Sequence, residues 1–171
     1  HIGTLDPLAE GVLVCLIGKY TKLANILTNH DKEYIASFKL GILTDTLDIM
    51  GNVLKEGKKD FSKEEIINAL NHFKGTYNQE VPIYSAVKVN GKKLYEYARN
   101  NIDVKLPSKI VNIYDIELID IKDDIITIKC KVSKGTYIRS LIRDIGAFLG
   151  TYATMTSLVR TILGNFNIDE A

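Results

Sequence analysis

Two long segments with alternating apolar side chains, residues 110–121 and 124–132, constrain the fold of this 171-residue chain more than any other feature. Lys122-Asp123-Asp124 joins them, and a short polar break between two alternating segments is typical of a β-hairpin. Alternation at period two indicates strands with one buried face, and the strands of a hairpin run antiparallel. We therefore expect a mostly antiparallel sheet.

Two further segments have helical periodicity. The first helix is opened by a capping box of Ser62 and Glu65 and stops at Gly75, and the second covers residues 136–149. Apolar stripes of this kind bury themselves against another element, here the sheet. The chain is thus expected to have an α+β fold, a mixed and mostly antiparallel sheet with packed helices. The inward residues are predicted to be Ile66, Ile67, Leu70 and Phe73 in the first helix and Ile138, Leu141, Ile142, Ile145 and Leu149 in the second.

The remaining elements are shorter. Asn90-Gly91 is a strong turn signal. We predict a buried strand at 12–17, a helix at 20–29, a strand at 33–41, an extended segment from Pro82 to Val89, a short basic helix at 92–100 and a last strand near 156–163.

Composition excludes several classes of protein. Apolar residues make up 46% of the chain, which is enough for a core and too many for a disordered protein. No apolar run approaches the length of a membrane span, and we expect no signal peptide and no membrane contact. We further expect a cytoplasmic protein that is a monomer. The chain begins with histidine, and we interpret it as a fragment of a longer protein.

Cysteine and histidine are too sparse for a metal site. Cys15 and Cys130 lie far apart in apolar or alternating segments, and we expect free buried thiols. His1, His30 and His72 are scattered. These positions make no zinc pattern, so we expect no metal.

Positive charge is segregated although the net charge is only +1. Residues 86–109 have a net charge of +4 and residues 129–160 of +5, whereas acids gather at 60–65 and 115–124. A basic face on a neutral protein suits a bound polyanion, and solvated helix faces are the alternative interpretation.

Asp6-Pro7 is the first candidate for chemistry. Proline keeps Asp6 out of the helical region, so the carboxylate lies on a stiff turn before an apolar run. Such a carboxylate is suited to act as a nucleophile or base. Asp-Pro is also a common helix start with aspartate as N-cap, and this alternative stays open.

Arginines at unfavourable positions are a second signal. Arg139 falls in the first turn of its helix, where the macrodipole disfavours a cation, and Arg143 follows one turn later. A nearby phosphate or carboxylate would explain the pair, and exposed side chains pointing at water are the alternative. Taken alone, Tyr34 and Leu158 are consistent with sheet packing, and Arg160 with a solvated strand end.

Five ordered segments stand out when the chain is taken as a whole. They are Gly3-Thr4-Leu5-Asp6-Pro7-Leu8-Ala9-x-Gly11, then Lys32-x-Tyr34 with Leu40-Gly41-x-x-Thr44-Asp45-Thr46-x-Asp48-x-x-Gly51, then Pro82-x-Tyr84-Ser85-Ala86-x-Lys88-x-x-Gly91-x-x-Leu94-Tyr95-x-Tyr97-Ala98-Arg99, then Ser133-Lys134-Gly135-Thr136-Tyr137-Ile138-Arg139, and finally Leu158-x-Arg160. Together these segments resemble the TruB-type pseudouridine synthases, and the resemblance runs from end to end of the chain.

The resemblance implies a pseudouridine synthase catalytic domain over residues 1–171, without the family's first N-terminal segment and without the small C-terminal RNA-binding domain. The implied reaction converts uridine to pseudouridine in the T-loop of tRNA, at position 55 in tRNA numbering. It needs no cofactor. The implied partner is the T-arm stem–loop of tRNA.

The resemblance also implies residue roles. Asp6 would be the catalytic carboxylate, acting by attack on C1′, by attack on C6 or by removal of a ribose proton. Arg139 would pair with it and keep it ionised. Tyr34 would stack on the flipped uracil and serve as a general acid or base. The implied substrate-binding residues are Tyr137 and Leu158 in the pocket, His1 in the vacated RNA stack, and Lys88, Lys92, Lys93 and Arg99 on phosphates.

Two other classes of protein are alternatives to a synthase. A non-catalytic RNA-binding module of the same fold would have little reason to hold Asp6, Tyr34 and Arg139 together. A hydrolase that pairs Asp6 with Asp45 or Asp48 would leave Arg139 and the basic face unexplained.

Overall fold

The computed structural model describes residues 1–27 and 29–171. The α-helices are α1 (Ala24–Leu27), α2 (Lys63–His72), α3 (Leu94–Arg99) and α4 (Ile138–Phe148), and two 3-10 helices cover Gly18–Leu23 and Ile168–Glu170. The strands are β1 (Ala9–Gly11), β2 (Lys32–Leu40), β3 (Ile42–Thr44), β4 (Val53–Glu56), β5 (Gly75–Glu80), β6 (Lys88–Val89), β7 (Lys92–Lys93), β8 (Ser108–Lys122), β9 (Ile125–Val132), β10 (Ala153–Leu163) and β11 (Phe166–Asn167).

Seven strands of the described chain form one sheet. Six of them follow the order β1-β10-β2-β9-β8-β5, and β11 pairs with β10. β1 runs parallel to β10, whereas the other neighbours in this sheet pair antiparallel. The predicted mixed, mostly antiparallel sheet is therefore confirmed. The short pairs β3-β4 and β6-β7 stand outside it.

The predicted hairpin is β8 and β9, joined at Asp123, whose positive φ of 56° makes the tight turn. Alternate residues of β9 are fully buried, namely Ile126, Ile128, Cys130 and Val132. The same main core takes residues from β2, β10, α2 and α4. One face of the sheet is thus closed by helices, as alternation at period two requires.

The two predicted amphipathic helices are confirmed, with one correction. Ser62 accepts a hydrogen bond from the Glu65 backbone N–H while the Glu65 carboxylate accepts one from the Ser62 backbone N–H. Ile66 and Leu70 are buried, but Ile67 is 38% exposed. The inward direction expected for Ile67 is wrong because one residue turns a helix by about 100°, which carries Ile67 off the buried stripe.

The predicted strand at 12–17 is wrong. No strand is assigned to this segment in the described chain. Its backbone meets other strands only at the Val14–Ile2 bridge and at a hydrogen bond from the Val12 N–H to the Arg160 carbonyl. Val12, Val14 and Leu16 reach a second, smaller core that contains Ile2 and Leu163. The intervening side chains are exposed, so the apolar run is one-sided rather than fully buried.

Two further predictions are partly wrong. The helix expected at 20–29 is a 3-10 helix followed by α1, and Thr28 lies outside the described residues. The segment from Pro82 to Val89 is not extended throughout, because residues 83–86 bend. Asn90 and Gly91 form the expected turn between β6 and β7.

The cysteines behave differently from each other. Both are free, but Cys15 is exposed and Cys130 is buried. The expectation of two buried thiols is thus wrong for Cys15, because the side chain points away from the second core. Among the described residues, no helix is long and apolar enough to cross a membrane.

Candidate active site

The predicted contact between Asp6 and Arg139 is present. Arg139 Nε donates to Asp6 Oδ2 at 2.7 Å, and Arg139 Nη2 donates to Asp6 Oδ1 at 3.1 Å. Guanidinium and carboxylate therefore meet through two parallel hydrogen bonds, a geometry that fixes the orientation of both groups. The residues lie 133 positions apart in the chain, so only the tertiary fold brings them together.

Arg139 forms hydrogen bonds to two other segments of the chain as well. It occupies the first turn of α4, and its side chain is 5% exposed. Its guanidinium also donates to the backbone oxygens of Thr46 and Tyr84, each at 3.0 Å. All of these partners are oxygens, which carry negative charge or partial negative charge. They therefore offset the unfavourable interaction of the guanidinium with the positive N-terminal end of the helix dipole.

Arg143 likewise has acidic partners. It contacts Asp144 at 2.9 Å and Glu80 at 3.3 Å. The alternative of two arginines pointing at water is therefore wrong for both, and the anions that explain them are carboxylates.

Asp6 lies on a turn, not at a helix start. The Ala9 N–H donates to the Asp6 carbonyl at 2.9 Å, and the chain then enters β1 rather than a helix. The helix-cap alternative is thus wrong. β1 lies against β10 at Gly11, where a Cβ would collide with the Arg160 backbone, and this close approach requires glycine. With its side chain 32% exposed, Asp6 keeps its carboxylate open to a ligand.

Asp6 faces a pocket of about 650 Å³. Three residues assigned from the resemblance line it together with Asp6: Tyr34, Tyr137 and Leu158. Arg139 acts on the pocket through Asp6. A single carboxylate, an aromatic wall and a buried leucine suit a planar, uncharged heterocycle beside a reacting centre.

Tyr34 is held by its position across the sheet. It lies on β2 opposite Arg160 of β10 and opposite Cys130 of β9. Burial raises the pKa of the Tyr34 hydroxyl, and the Arg160 guanidinium opposes that rise. The hydroxyl is consequently protonated at neutral pH and can donate a proton or a hydrogen bond.

Burial also raises the pKa of the Tyr137 hydroxyl. Burial lowers the pKa of Lys32, and the positive charge of the nearby Arg160 lowers it further. Buried cations thus lie close to the pocket's two tyrosines.

Arg160 is a pocket residue that the sequence-based site residues did not include. The alternative of a solvated strand end is wrong, since Arg160 is 1% exposed. Its Nε donates to the Val12 carbonyl and its Nη2 to the Gly3 carbonyl, both at 2.8 Å. The face shared with Leu158 and the matching motif were the signals that could have identified it.

Lys32, Lys109 and Lys134 also line the pocket and were not predicted there. Lys109 was counted only within a basic segment, whereas Lys32 and Lys134 also belong to the matching motifs but were given no role in the site. A linear sequence does not say which lysines of a basic segment lie beside a pocket.

The other predicted substrate-binding residues lie outside the described lining of this pocket. His1 is exposed. Lys88, Lys92 and Lys93 belong to the β6-β7 hairpin, and Arg99 ends α3. They form a separate basic surface. Their proposed contacts with RNA remain predictions.

The carboxylates of Asp45 and Asp48 are engaged elsewhere. Asp45 accepts hydrogen bonds from Asn52, while Asp48 accepts from Thr46 and from the Met50 backbone. In the described part of the chain neither lines the pocket, which weighs against a carboxylate pair with Asp6. No group of three or more potential metal-ligating side chains occurs among the described residues.

Comparison with known proteins places these residues in a family. The family model for the TruB family pseudouridylate synthase (N terminal domain) matches residues 1–138. The tRNA pseudouridine synthase B of Fusobacterium nucleatum is 50% identical over 169 residues, covering 99% of this chain and 59% of that protein. The protein of the same name from Clostridium tetani is 48% identical, covering 100% of this chain and 60% of that protein. The chain therefore spans about three-fifths of the length of the curated relatives it matches.

Solved structures share the fold. A chain of a Cbf5-Nop10-Gar1 complex matches with a TM-score of 0.75 and 32% identity, covering 99% of this chain and 41% of that one. A chain of an H/ACA RNP bound to a substrate RNA containing 2'-deoxyuridine matches with a TM-score of 0.71 and 29% identity, covering 99% and 40%. These matches confirm the α+β fold that the resemblance implied. Since the family model covers most of the chain and the relatives are nearly half identical to it, this chain belongs to the TruB family of pseudouridylate synthases.

Proposed function

We propose that this protein isomerises uridine to pseudouridine in the T-loop of tRNA, at position 55 in tRNA numbering. The observation that carries the proposal is the bidentate contact between Asp6 and Arg139 at the wall of a pocket fitted for a planar base. The relatives named tRNA pseudouridine synthase B support the reaction and the tRNA substrate. The similar chain in the second solved structure belongs to an H/ACA RNP bound to a substrate RNA, which supports RNA as the class of ligand.

The proposed reaction exchanges one glycosidic bond for another. The C1′–N1 bond breaks, the uracil rotates within the pocket, and a C1′–C5 bond forms. N1 gains a proton and C5 loses one, so the product is an isomer of the substrate. Because the composition of the nucleotide is unchanged, the proposal requires no cofactor.

Asp6 begins the reaction in this proposal, by attack on C1′ or C6 or by removal of a ribose proton. Each of these roles needs an ionised carboxylate. The two hydrogen bonds from Arg139 fix the orientation of the carboxylate at the pocket wall. Arg139 is thus a positioning residue that acts through Asp6.

The pocket walls then hold the base. Tyr34 stacks on the uracil, and its protonated hydroxyl acts as a general acid, a role that its raised pKa favours over that of a base. Tyr137 and Leu158 complete the wall and exclude water. A base paired or stacked in RNA must first be flipped out, which requires about a few kcal/mol.

The surroundings of the pocket bind the T-arm stem–loop. His1 occupies the space that the flipped nucleotide vacates. Lys88, Lys92, Lys93 and Arg99 contact backbone phosphates, which supplies affinity without reading the sequence. Residues 1–171 belong to a single catalytic domain, and the protein acts as a monomer.

The proposal is tested with a T-arm stem–loop RNA that carries tritium at uracil C5. Bond formation at C5 expels that hydrogen, so turnover releases tritium to water. Binding without release would indicate an RNA-binding module, and hydrolysis without release would indicate a hydrolase. Either result from the natural full-length protein would refute the proposed reaction.

A further inference from the structure

The pocket carries more positive charge than the proposed chemistry of the base uses. Lys32, Lys109, Lys134 and Arg160 line it, while Asp6 is the one carboxylate among the described lining residues. Asp6 is already held by Arg139. Lys134 is exposed, but Lys32 and Arg160 are buried and Lys109 is half-buried. Buried cations without a counter-charge are unfavourable, so the pocket is electrostatically suited to an anionic part of a ligand.

Lys109 is the cation with the weakest compensation. Lys32 donates to the His30 carbonyl at 2.7 Å, and Lys134 donates to Asn29 Oδ1 at 2.9 Å. The Lys109 amine instead lies 4.3 Å from the centroid of the Tyr137 ring, and no carboxylate of the described chain pairs with it. Burial lowers the pKa of Lys109, in keeping with an amine that has no carboxylate partner.

The backbone beside Lys109 is shaped around its amine. Gly135 has a φ of +77°, and a Cβ there would lie 3.1 Å from Lys109 Nζ. The turn that contains Gly135 leads directly into α4, an 11-residue helix whose N-terminus carries partial positive charge. A lysine amine is disfavoured at that end of a helix. Arg139 lies at the same helix end, and there the carboxylate of Asp6 compensates its charge. The described chain provides no such carboxylate for Lys109.

We propose that Lys109 anchors a phosphodiester-binding subsite in this pocket, for the backbone phosphate next to the nucleotide whose base enters. The inference rests on the proposed function: uracil and ribose are uncharged, so the anionic group of an RNA ligand is its backbone phosphate. Lys134, adjacent to Gly135, flanks the subsite. In the bound state the Lys109 amine exchanges the face of Tyr137 for a phosphate oxygen.

The first test measures binding of a T-arm stem–loop RNA by the natural full-length protein. Lys109→Met removes the charge and keeps the aliphatic stem, and Lys109→Arg keeps the charge. We expect Lys109→Met to weaken binding roughly tenfold, the value of one charge-assisted hydrogen bond. The slope of log Kd against log salt should become shallower by about 0.7, the value for one phosphate on a single strand. Lys109→Arg should retain most of the affinity.

Lys122→Met is the matched control, since Lys122 is an exposed lysine at the other end of β8. It should change neither the dissociation constant nor the salt slope. Equal effects of Lys109→Met and Lys122→Met would overturn the subsite.

The second test locates the phosphate by modifying the RNA, and its wild-type measurements do not depend on the stability of any variant. Single methylphosphonate linkages, which lack the negative charge, are placed on the 5′ side, on the 3′ side, or several nucleotides away from the target uridine. For the wild-type protein, one of the two flanking linkages should weaken binding roughly tenfold. With Lys109→Met that same linkage should have little further effect, because both changes remove the same interaction. Wild-type binding that is unaffected by both flanking linkages contradicts the proposal.

The tritium assay separates this inference from the proposed reaction. If wild-type protein releases tritium but Lys109→Met binds RNA with wild-type affinity and salt slope, the subsite is wrong and the reaction stands. If no tritium is released but the Lys109-dependent phosphate contact is observed, the reaction is wrong and the subsite stands.

Discussion

At the scale of single residues, Arg139 is held by four hydrogen bonds beside the pocket. Its guanidinium donates to both oxygens of Asp6 and to the carbonyls of Thr46 and Tyr84. An arginine stays charged when it is buried, and its planar fork matches a carboxylate. The orientation of Asp6 is therefore determined by a residue that cannot rotate freely, which is the arrangement a catalytic carboxylate needs.

Asp6→Asn should abolish turnover and leave RNA binding nearly unchanged. The amide has almost the same shape but supplies neither a nucleophile nor a base. Tritium release measures turnover, and the dissociation constant for the stem–loop measures binding. Asp123→Asn is the matched control, because Asp123 lies in the β8-β9 turn with a positive φ that asparagine also accepts. A folded Asp6→Asn protein with wild-type release would remove Asp6 from the chemistry.

Arg139→Lys should lower kcat by about 10- to 100-fold despite conserving charge, since lysine cannot donate two parallel hydrogen bonds to Asp6. The Michaelis constant should change much less, because the residue acts on Asp6 rather than on bound RNA. Arg143 lies one turn further along α4 and contacts the carboxylates of Glu80 and Asp144. The kcat of Arg143→Lys should therefore be close to that of the wild type. Equal kcat values for the two variants would show that the bidentate geometry has no part in turnover.

Among the elements, the β6-β7 hairpin and α3 concentrate the basic surface. Lys88 and Lys92 are exposed at the two sides of the hairpin. Arg99 lies 5.2 Å from the centroid of the Tyr95 ring. Side chains of this kind bind a phosphate backbone through charge and do not contact the reacting base.

The double variant Lys88→Gln/Lys92→Gln should raise the Michaelis constant and leave kcat nearly unchanged. The salt dependence of binding should become shallower by about one unit for each phosphate that the variant no longer neutralises. Lys63→Gln and Lys122→Gln, on exposed positions of α2 and β8, serve as controls. A salt slope that is identical in all these proteins would mean that the hairpin does not touch RNA.

The central strand β9 carries a buried thiol whose ionisation is linked to stability. Burial raises the pKa of Cys130 to about 12, from 9.0. Below about pH 9 the folded and unfolded chains both keep this proton. Above it the unfolded chain loses a proton that the folded chain retains, so stability falls as pH rises, by up to about 1.4 kcal/mol per pH unit from this group.

The variant Cys130→Ala has no thiol at this position, so its free energy of unfolding lacks the pH-dependent contribution of Cys130. The free energy of unfolding of wild type relative to Cys130→Ala should therefore decrease between about pH 8 and about pH 10.5. Urea titrations at several pH values measure the difference. Cys15→Ala, at the exposed free cysteine, is the matched control. A constant difference for Cys130→Ala would contradict the buried, protonated thiol.

At the scale of the whole molecule, Arg160 joins the beginning of the chain to its last long strand. Its contacts with Gly3 and Val12 span 157 and 148 positions. The turn that carries Asp6 lies between those two residues. This buried side chain therefore helps to hold the Asp6 turn against the sheet.

Arg160→Met should lower the free energy of unfolding by about 2–5 kcal/mol, because two carbonyl groups lose their donor inside the protein. Arg99→Met, on an exposed position, should stay within about 0.5 kcal/mol of wild type. Chemical denaturation measures both. A small effect of Arg160→Met would mean that water replaces the guanidinium and that the turn is held by β1 alone.

Local patterns were sufficient for most of the sheet and helices. Alternation in 110–132 and the capping box at Ser62 act through neighbouring residues, so the β8-β9 hairpin and α2 could be predicted from sequence. The same reasoning failed at 12–17. An apolar run does not say whether both of its faces find partners, and here only one side reaches a core.

The sequence by itself determined the pieces of the site, and the tertiary structure decided how they meet. Asp6-Pro7 and the out-of-place Arg139 were visible as signals, because proline geometry and the helix dipole act locally. The inward direction of Arg160 and Lys109 was not, although both lie in recognisable strands. Which cation enters a pocket depends on strand register, on Gly135 and on contacts over more than a hundred positions, and no local rule contains that information.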